Sequence, residues 1–535
     1  MSKATFDPVS KIWHGPKVPS IYNPDQNLGQ LILKILQQTP DSVTQISADT
    51  GVSVTCQQMY DRSIKFAKYL TKCGMKEGDL IGFVTANTEN LAPIVFACFT
   101  LGLPVNPLAP VMNEKDILQM FSMTKPKMIF CDAENVKIVQ NAVNLMKSEA
   151  AVMTVMDKVE GFECATEILK EMKSESFENI QFQLIDSNST AAILCSSGST
   201  GFPKGICKSH KQLISDFHQL WSIRNGKTQI TFQASPIFWL SGFYMLVAAS
   251  IYRCIRVITT QTLHPEVILD ILNKYKVSVF LTQPYTLVAL MQLKHFKPIE
   301  SMQCMFVGGS VISSKSCEEF KQFIPNGKLF ILYGSTEENF LSFNDSDKNF
   351  GSSGFVINNV QLKIIDDNGN SLGLNQRGEI HSKIPVQFSC YYEDPIKTKE
   401  AFDGEWFKSG DIGYFDDQGY LYVVDRKKEL LKYKNYQVTP SEIEAIINVI
   451  NGVSSSCVVG VPEPNTGNDI IHAFVIIDKE ASLDKQFILN YVNEKVIDPK
   501  RIRGGVHIVD AFPLGMTGKV DRKKVKEMAG KHGNQ

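Results

Sequence analysis

Between about Asp25 and Pro385 the chain alternates helical apolar patterns with short apolar runs, each closed by a turn of glycine, serine or proline. Residues 191–195, 277–281, 302–307 and 328–332 are such runs. Short runs separated by helices predict α/β units with largely parallel sheets. Ligands of such sheets gather at the carboxyl ends of the strands, so chemistry is expected in the turns. At 535 residues the chain exceeds a single core and suits a large layered α/β domain plus a smaller one.

The texture changes after about Gly354, where the turns 367–370 and 416–419 predict a small, barrel-like β unit. A charged stretch from Asp425 to Glu429 then leads into a compact α+β tail, which puts the boundary at Asp425–Arg426, after a large domain 1–424 and before a small mobile one 427–535. Thr439-Pro440-Ser441-Glu442 reads as a capping box with proline at the first helical position. Strands are expected at 456–461, 470–477 and 506–509, with a helix over 484–495.

Two apolar stretches invite a membrane reading. The first, 91–111, is broken by Pro93, Pro104, Pro107 and Pro110. The second, 236–252, falls short of the ~20 apolar residues a span requires. Both read as buried core. A formal net charge of −1 gives no reason to expect nucleic acid. Twelve cysteines without a CxxC pair read as free thiols. No apolar leader opens the chain, and its last residues are not Ser-Lys-Leu, so a cytoplasmic or peroxisomal protein is expected. His210 and His218 read as solvated helix positions.

The sharpest chemical signal is Ser196-Ser197-Gly198-Ser199-Thr200-Gly201-Phe202-Pro203-Lys204-Gly205, directly after the run 191–195. Small residues let the backbone approach an anion, and hydroxyls and main-chain N–H groups donate to phosphate oxygens. Lys204 adds a positive charge. It is not a Walker loop, because GxxxxGK[ST] does not occur; Gly226-Lys227-Thr228 has Trp221 where the first glycine belongs.

Further segments follow in order: Tyr333-Gly334-Ser335-Thr336-Glu337, Trp406-Phe407-Lys408-Ser409-Gly410-Asp411, Asp425-Arg426, Lys432-Tyr433-Lys434-Asn435-Tyr436-Gln437, and Thr517-Gly518-Lys519 with Arg522. The series resembles that of the adenylate-forming superfamily, which contains the acyl-CoA synthetases and beetle luciferases, over about residues 30 to 527. The nearest branch is that of insect luciferase-like acyl-CoA synthetases and 4-coumarate–CoA ligases. The resemblance implies that residues 196–201 and Lys204 handle ATP phosphates. Gly309, Ser310, Tyr333 and Gly334 are then nucleotide contacts, with Tyr333 packed on adenine. Thr336 meets the α-phosphate, and Glu337 serves Mg²⁺. Asp411 and Arg426 take the ribose, and Asp425 is the hinge. Lys519 bridges the acid and the phosphate in the first step; Lys432, Lys434 and Gln437 belong to the CoA step. Trp239, Gly308 and Leu332 border the acyl pocket.

The activity so implied is ATP-dependent acid–CoA ligation on small molecules: a carboxylic acid (a fatty acid first), ATP and CoA. Several positions depart from the family pattern. Trp239 stands where His usually follows Phe, Asn435 where Gly usually lies, and Leu332 where Gly commonly precedes Tyr. Leu514 replaces a frequent Lys, and Lys383-Ile384-Pro385 a typical Arg-Gly-Pro. The ATP-side residues are intact, whereas those around acid and thiol are altered. A luciferase-type oxygenase and a catalytically weakened acyl- or nucleotide-binding protein are the competing readings.

Overall fold

The computed structural model describes residues 4–172, 184–196, 204–216, 229–294, 296–310, 312–345, 349–433, 436–463, 468–478, 481–515 and 519–532. Two compact units divide the chain: Met1–Phe6, Trp13–Gln361 and Ser382–Phe407 form the first, and Asp7–Ile12, Leu362–His381 and Lys408–Gln535 the second. Of the large domain 1–424 expected from the sequence, Asp7–Ile12, Leu362–His381 and residues 408–424 group with the C-terminal part.

The first unit is built on an eight-stranded and a nine-stranded sheet. In the smaller, Thr190–Ser196, Val105–Leu108, Ile81–Val84, Met128–Cys131, Ala151–Thr154 and Glu163–Cys164 run parallel. Lys204–Ser209 and Cys390–Tyr391 extend its edge antiparallel. In the larger, the parallel strands are Lys328–Ser335, Cys304–Gly308, Val279–Thr282, Ile230–Phe232, Ile255–Ile258 and Val43–Ser47. Ile81–Val84 and Met128–Cys131 are buried at every position, as parallel strands covered on both faces must be.

The apolar stretches are core. Helix Leu91–Leu101 buries ten of its eleven residues and ends at Gly102, whose φ of 66° supplies the left-handed cap that stops it. Helix Leu240–Ile251 is also mostly buried. Among the described residues, no helix is long and apolar enough to cross a membrane.

In the second unit, Val453–Pro462 pairs antiparallel with Asp469–Ile477, which pairs parallel with Val506–Ile508. Helices Pro440–Ile447 and Lys485–Lys495 bury Ile443, Ile447, Ile488 and Val492 against one side of this sheet. Helix Arg522–His532 buries Val525 and Ala529 with Cys457 and Phe474 in a separate cluster. All three strands and the helix match their expected places within a few residues.

Helix Pro440–Ile447 starts where expected, but Thr439 makes no side-chain cap. The Glu442 carboxylate is drawn instead to Arg377, at 3.0 Å, and to Lys500. Asp425 takes over the cap: its Oδ2 accepts from the Ser441 N–H at 3.1 Å, and the Ser441 hydroxyl donates to the Val424 carbonyl at 2.7 Å.

Candidate active site

Strands Thr190–Ser196 and Lys204–Ser209 are antiparallel neighbours with Ser196 opposite Lys204, so the phosphate loop is the connection of a hairpin. Ser197, Gly198, Ser199, Thr200 and Gly201 lie outside the described residues. Lys204 opens the returning strand, with its ammonium 4.3 Å from the centre of the Tyr391 ring.

The segment Tyr333–Glu337 is also a hairpin. Strand Lys328–Ser335 turns back through Thr336–Glu338 into Asn339–Asn344, with Ser335 opposite Asn339. A Cβ on Gly334 would stand 1.8 Å from the Asn339 carbonyl oxygen, so only glycine fits there. Glu337 is held at both ends. Its carboxylate accepts from the Tyr391 hydroxyl at 2.8 Å. Its main-chain carbonyl accepts from the Lys208 ammonium at 2.7 Å and from the Gln212 amide at 2.9 Å.

Behind this turn lies a buried polar network that the sequence reading missed. The Lys208 ammonium also reaches Asn339 Oδ1 at 3.4 Å, the Asn339 amide donates to Asp216, and the Ser382 hydroxyl donates to Glu338. Burial holds Lys208 below its ordinary value, opposed by Asp216, Glu337 and Glu338. Burial also pushes Asp216 up to about 7 and Glu338 up to about 8. His210 is likewise buried, contrary to its solvated reading: its Nδ1 accepts from the Leu28 N–H at 3.2 Å, because its helix packs inward. His218 lies outside the described residues.

Of the residues expected at an acyl pocket, Gly308 ends its strand opposite Leu332, whose Cβ is 3.1 Å from where a Gly308 Cβ would stand. Gly309 follows with a φ of 94°, and Ser310 is exposed. A cavity of about 60 Å³ lies between the larger sheet and helix Leu240–Ile251, walled by Thr231, Tyr244, Met245, Ala248, Phe306 and Leu332 among others. Leu332 lines this cavity, whereas Gly308 and Trp239 are not among its lining residues. Trp239 precedes the helix, half-buried, with its ring edge-to-face against Phe238 at 5.2 Å.

The second unit brings three of the expected residues together. Asp411 and Arg426 are register partners on neighbouring antiparallel strands, joined by an ion pair of 2.8 Å. The preceding Gly410 has a φ of 72°, and the Ser409 hydroxyl accepts from the Asp411 N–H at 3.0 Å. Lys519 stands beside them. Desolvation and the Arg426 guanidinium lower its pKa, while Asp411 and Glu429 oppose the shift. Its loop is closed by the Gly515 N–H donating to the Lys519 carbonyl at 2.8 Å and by pairing of Leu514 with Val520. Arg522 anchors that loop through Glu429 and Glu444, at 3.1 and 2.8 Å. Lys432 and Gln437 face each other across the hairpin Leu431–Tyr433 and Tyr436–Val438; Lys434 and Asn435 lie outside the described residues.

The residues present fit Mg²⁺. Glu337 offers a carboxylate with one oxygen bonded to Tyr391 and the other not engaged by that hydroxyl. Mg²⁺ takes oxygen ligands and fills its shell with water and substrate phosphates, so one carboxylate suffices.

The profile of the AMP-binding enzyme family matches residues 34–392, and that of the AMP-binding enzyme C-terminal domain residues 442–519. A probable 4-coumarate–CoA ligase 1 of Dictyostelium discoideum is 30% identical over 545 residues, covering 96% of this chain and 97% of that one. Luciferin 4-monooxygenase of Luciola mingrelica is 29% identical over 90% of each chain. The crystal structure of ATP-bound MatB from Rhodopseudomonas palustris, 23% identical, has a TM-score of 0.84 and covers 94% of this chain and 98% of that one. With one profile spanning more than half its length, the chain belongs to the AMP-binding enzyme family, within the adenylate-forming superfamily that its motifs resemble.

Proposed function

We propose that the enzyme is an acid–CoA ligase. A carboxylate oxygen attacks the α-phosphorus of ATP, the bond to the bridging oxygen breaks, and pyrophosphate leaves. The CoA thiolate then attacks the acyl carbon, and AMP departs. A carboxylate has no leaving group of its own, and adenylation supplies one. Because charge builds on phosphate oxygens, catalysis is mostly positioning and electrostatics.

The observation that carries this reading is the cluster of Asp411, Arg426 and Lys519, three residues from separate motifs drawn together in the second unit. Arg426 orients Asp411 for the ribose hydroxyls, and Lys519 neutralises the acid and phosphate oxygens. In the first unit the loop 196–204 holds the phosphates, Tyr333 and Gly334 the base, and Thr336 the α-phosphate, with Gly309 and Ser310 as further contacts. Glu337 would hold Mg²⁺, which withdraws charge from the β- and γ-phosphates when bound. Lys432, Lys434 and Gln437 serve the thiol step, after rotation at Asp425. The acid is compact or of medium length, since the cavity beside Leu332 is small.

Acid-dependent exchange of labelled pyrophosphate into ATP tests the reading, with acetate, octanoate, palmitate, benzoate and 4-coumarate as acids. Exchange with at least one of them, absent without acid, is the expected result. Tight ATP binding with no exchange for any would favour the weakened binding protein.

A further inference from the structure

We propose that Lys208 is a positioning residue for the metal-bound form of ATP: with Gln212 it clamps the carbonyl of Glu337 and so fixes the part of the turn that presents the Glu337 carboxylate. The inference rests on the reading that Glu337 serves Mg²⁺. Lys208 is fully buried, and an apolar side chain of similar length would avoid the desolvation it suffers. Its ammonium donates at 2.7 Å to the Glu337 carbonyl and at 3.4 Å to Asn339, which passes the contact on to Asp216. Asn339 itself takes a φ of 57°, a left-handed conformation rare for a residue with a side chain, so the turn has something to restrain.

The placement gives the clamp its use. Lys208 lies on the strand that begins at Lys204, directly after the phosphate loop, and Gln212 on the helix that follows. Tyr391 lies under Lys204 and donates to the Glu337 carboxylate. The strand leaving the phosphate loop is therefore latched to Glu337 on both sides, through Tyr391 at the carboxylate and through Lys208 and Gln212 at the carbonyl. The strand from Lys204 and the Glu337 turn are kept in one register.

The test uses the full chain and isothermal titration with ATP, once with excess Mg²⁺ and once in EDTA, which needs no knowledge of the acid. Wild type is expected to bind ATP more tightly with Mg²⁺. Lys208→Met should lose about tenfold of that metal-dependent gain, as for a lost charged hydrogen bond, while its affinity in EDTA stays within about twofold. Gln212→Leu should lose part of the gain and serves if Lys208→Met does not fold. A folded variant that keeps the full gain, or that weakens both titrations equally, overturns the proposal. Glu337→Gln separates the two levels. If it retains the gain, the reading of Glu337 fails; if it loses the gain while Lys208→Met keeps it, only the role of Lys208 fails.

Discussion

A buried imidazole marks what single residues can and cannot announce. His210 looks like a polar residue at a helix start, yet it is buried and accepts from the Leu28 N–H, which requires its neutral form. Burial lowers its pKa from 6.5 to about 4, with Asp186 opposing. A folded value below the unfolded one means that its stabilisation is complete above about pH 6.5 and is lost as pH falls toward 4. The full difference is on the order of 3 kcal/mol. Thermal melts of wild type and His210→Asn between pH 8 and 4 should therefore converge as the pH falls; parallel curves would exclude the imidazole as their source. Lys208 hid for the same reason. One lysine in the run Lys204–Ser209 looks like an exposed strand position, and only the fold shows that its partner lies 129 residues away. The motif marked Gly334 only as a nucleotide contact; that its position has no room for a Cβ is visible in the fold alone.

At the level of elements, periodicity located the helices and strands of the tail well, whereas capping chemistry misled. Thr439 and Glu442 have the spacing of a capping box, but spacing does not reveal that Arg377 and Lys500 compete for Glu442 or that Asp425 reaches Ser441. Asp425→Ala should remove about 1 kcal/mol from the first turn of helix Pro440–Ile447, seen as faster amide exchange there. Thr439→Val should leave that exchange unchanged. The opposite order would restore the capping box. The loop carrying Lys519 makes a second prediction. Lys519→Ala should slow adenylate formation by about 10²–10³, the cost of one contact made mainly in the transition state. Thioester formation from a supplied acyl-adenylate should be largely retained; equal loss in both half-reactions would show that Lys519 is not specific to the first.

For the whole molecule, the mixed α/β organisation and the family were legible because their motifs are local, each a few residues at a strand end. The cavity beside Leu332 was not, since it is assembled from residues such as Thr231, Tyr244, Phe306 and Leu332 that are adjacent only in the fold. Sequence comparison singled out Trp239 and Leu332 alike; of these, Leu332 lines the cavity. Each methylene accommodated is worth about 0.8 kcal/mol, while forcing extra atoms into a packed wall costs about 1–3 kcal/mol. Leu332→Gly should therefore shift the chain-length optimum toward longer acids, and Trp239→His should shift it less. The reverse order, read from relative kcat/KM values, would make Trp239 the boundary of the acyl site. The central claim is that acid activation and thiol transfer are successive steps of one enzyme. Mass spectrometry of the products formed from ATP, Mg²⁺ and the acid giving the fastest exchange tests it most directly. The account predicts acyl-adenylate without CoA, and acyl-CoA with equimolar AMP and pyrophosphate once CoA is added. Acyl-adenylate that accumulates unchanged in the presence of CoA, or ATP consumed to ADP and phosphate, would contradict it.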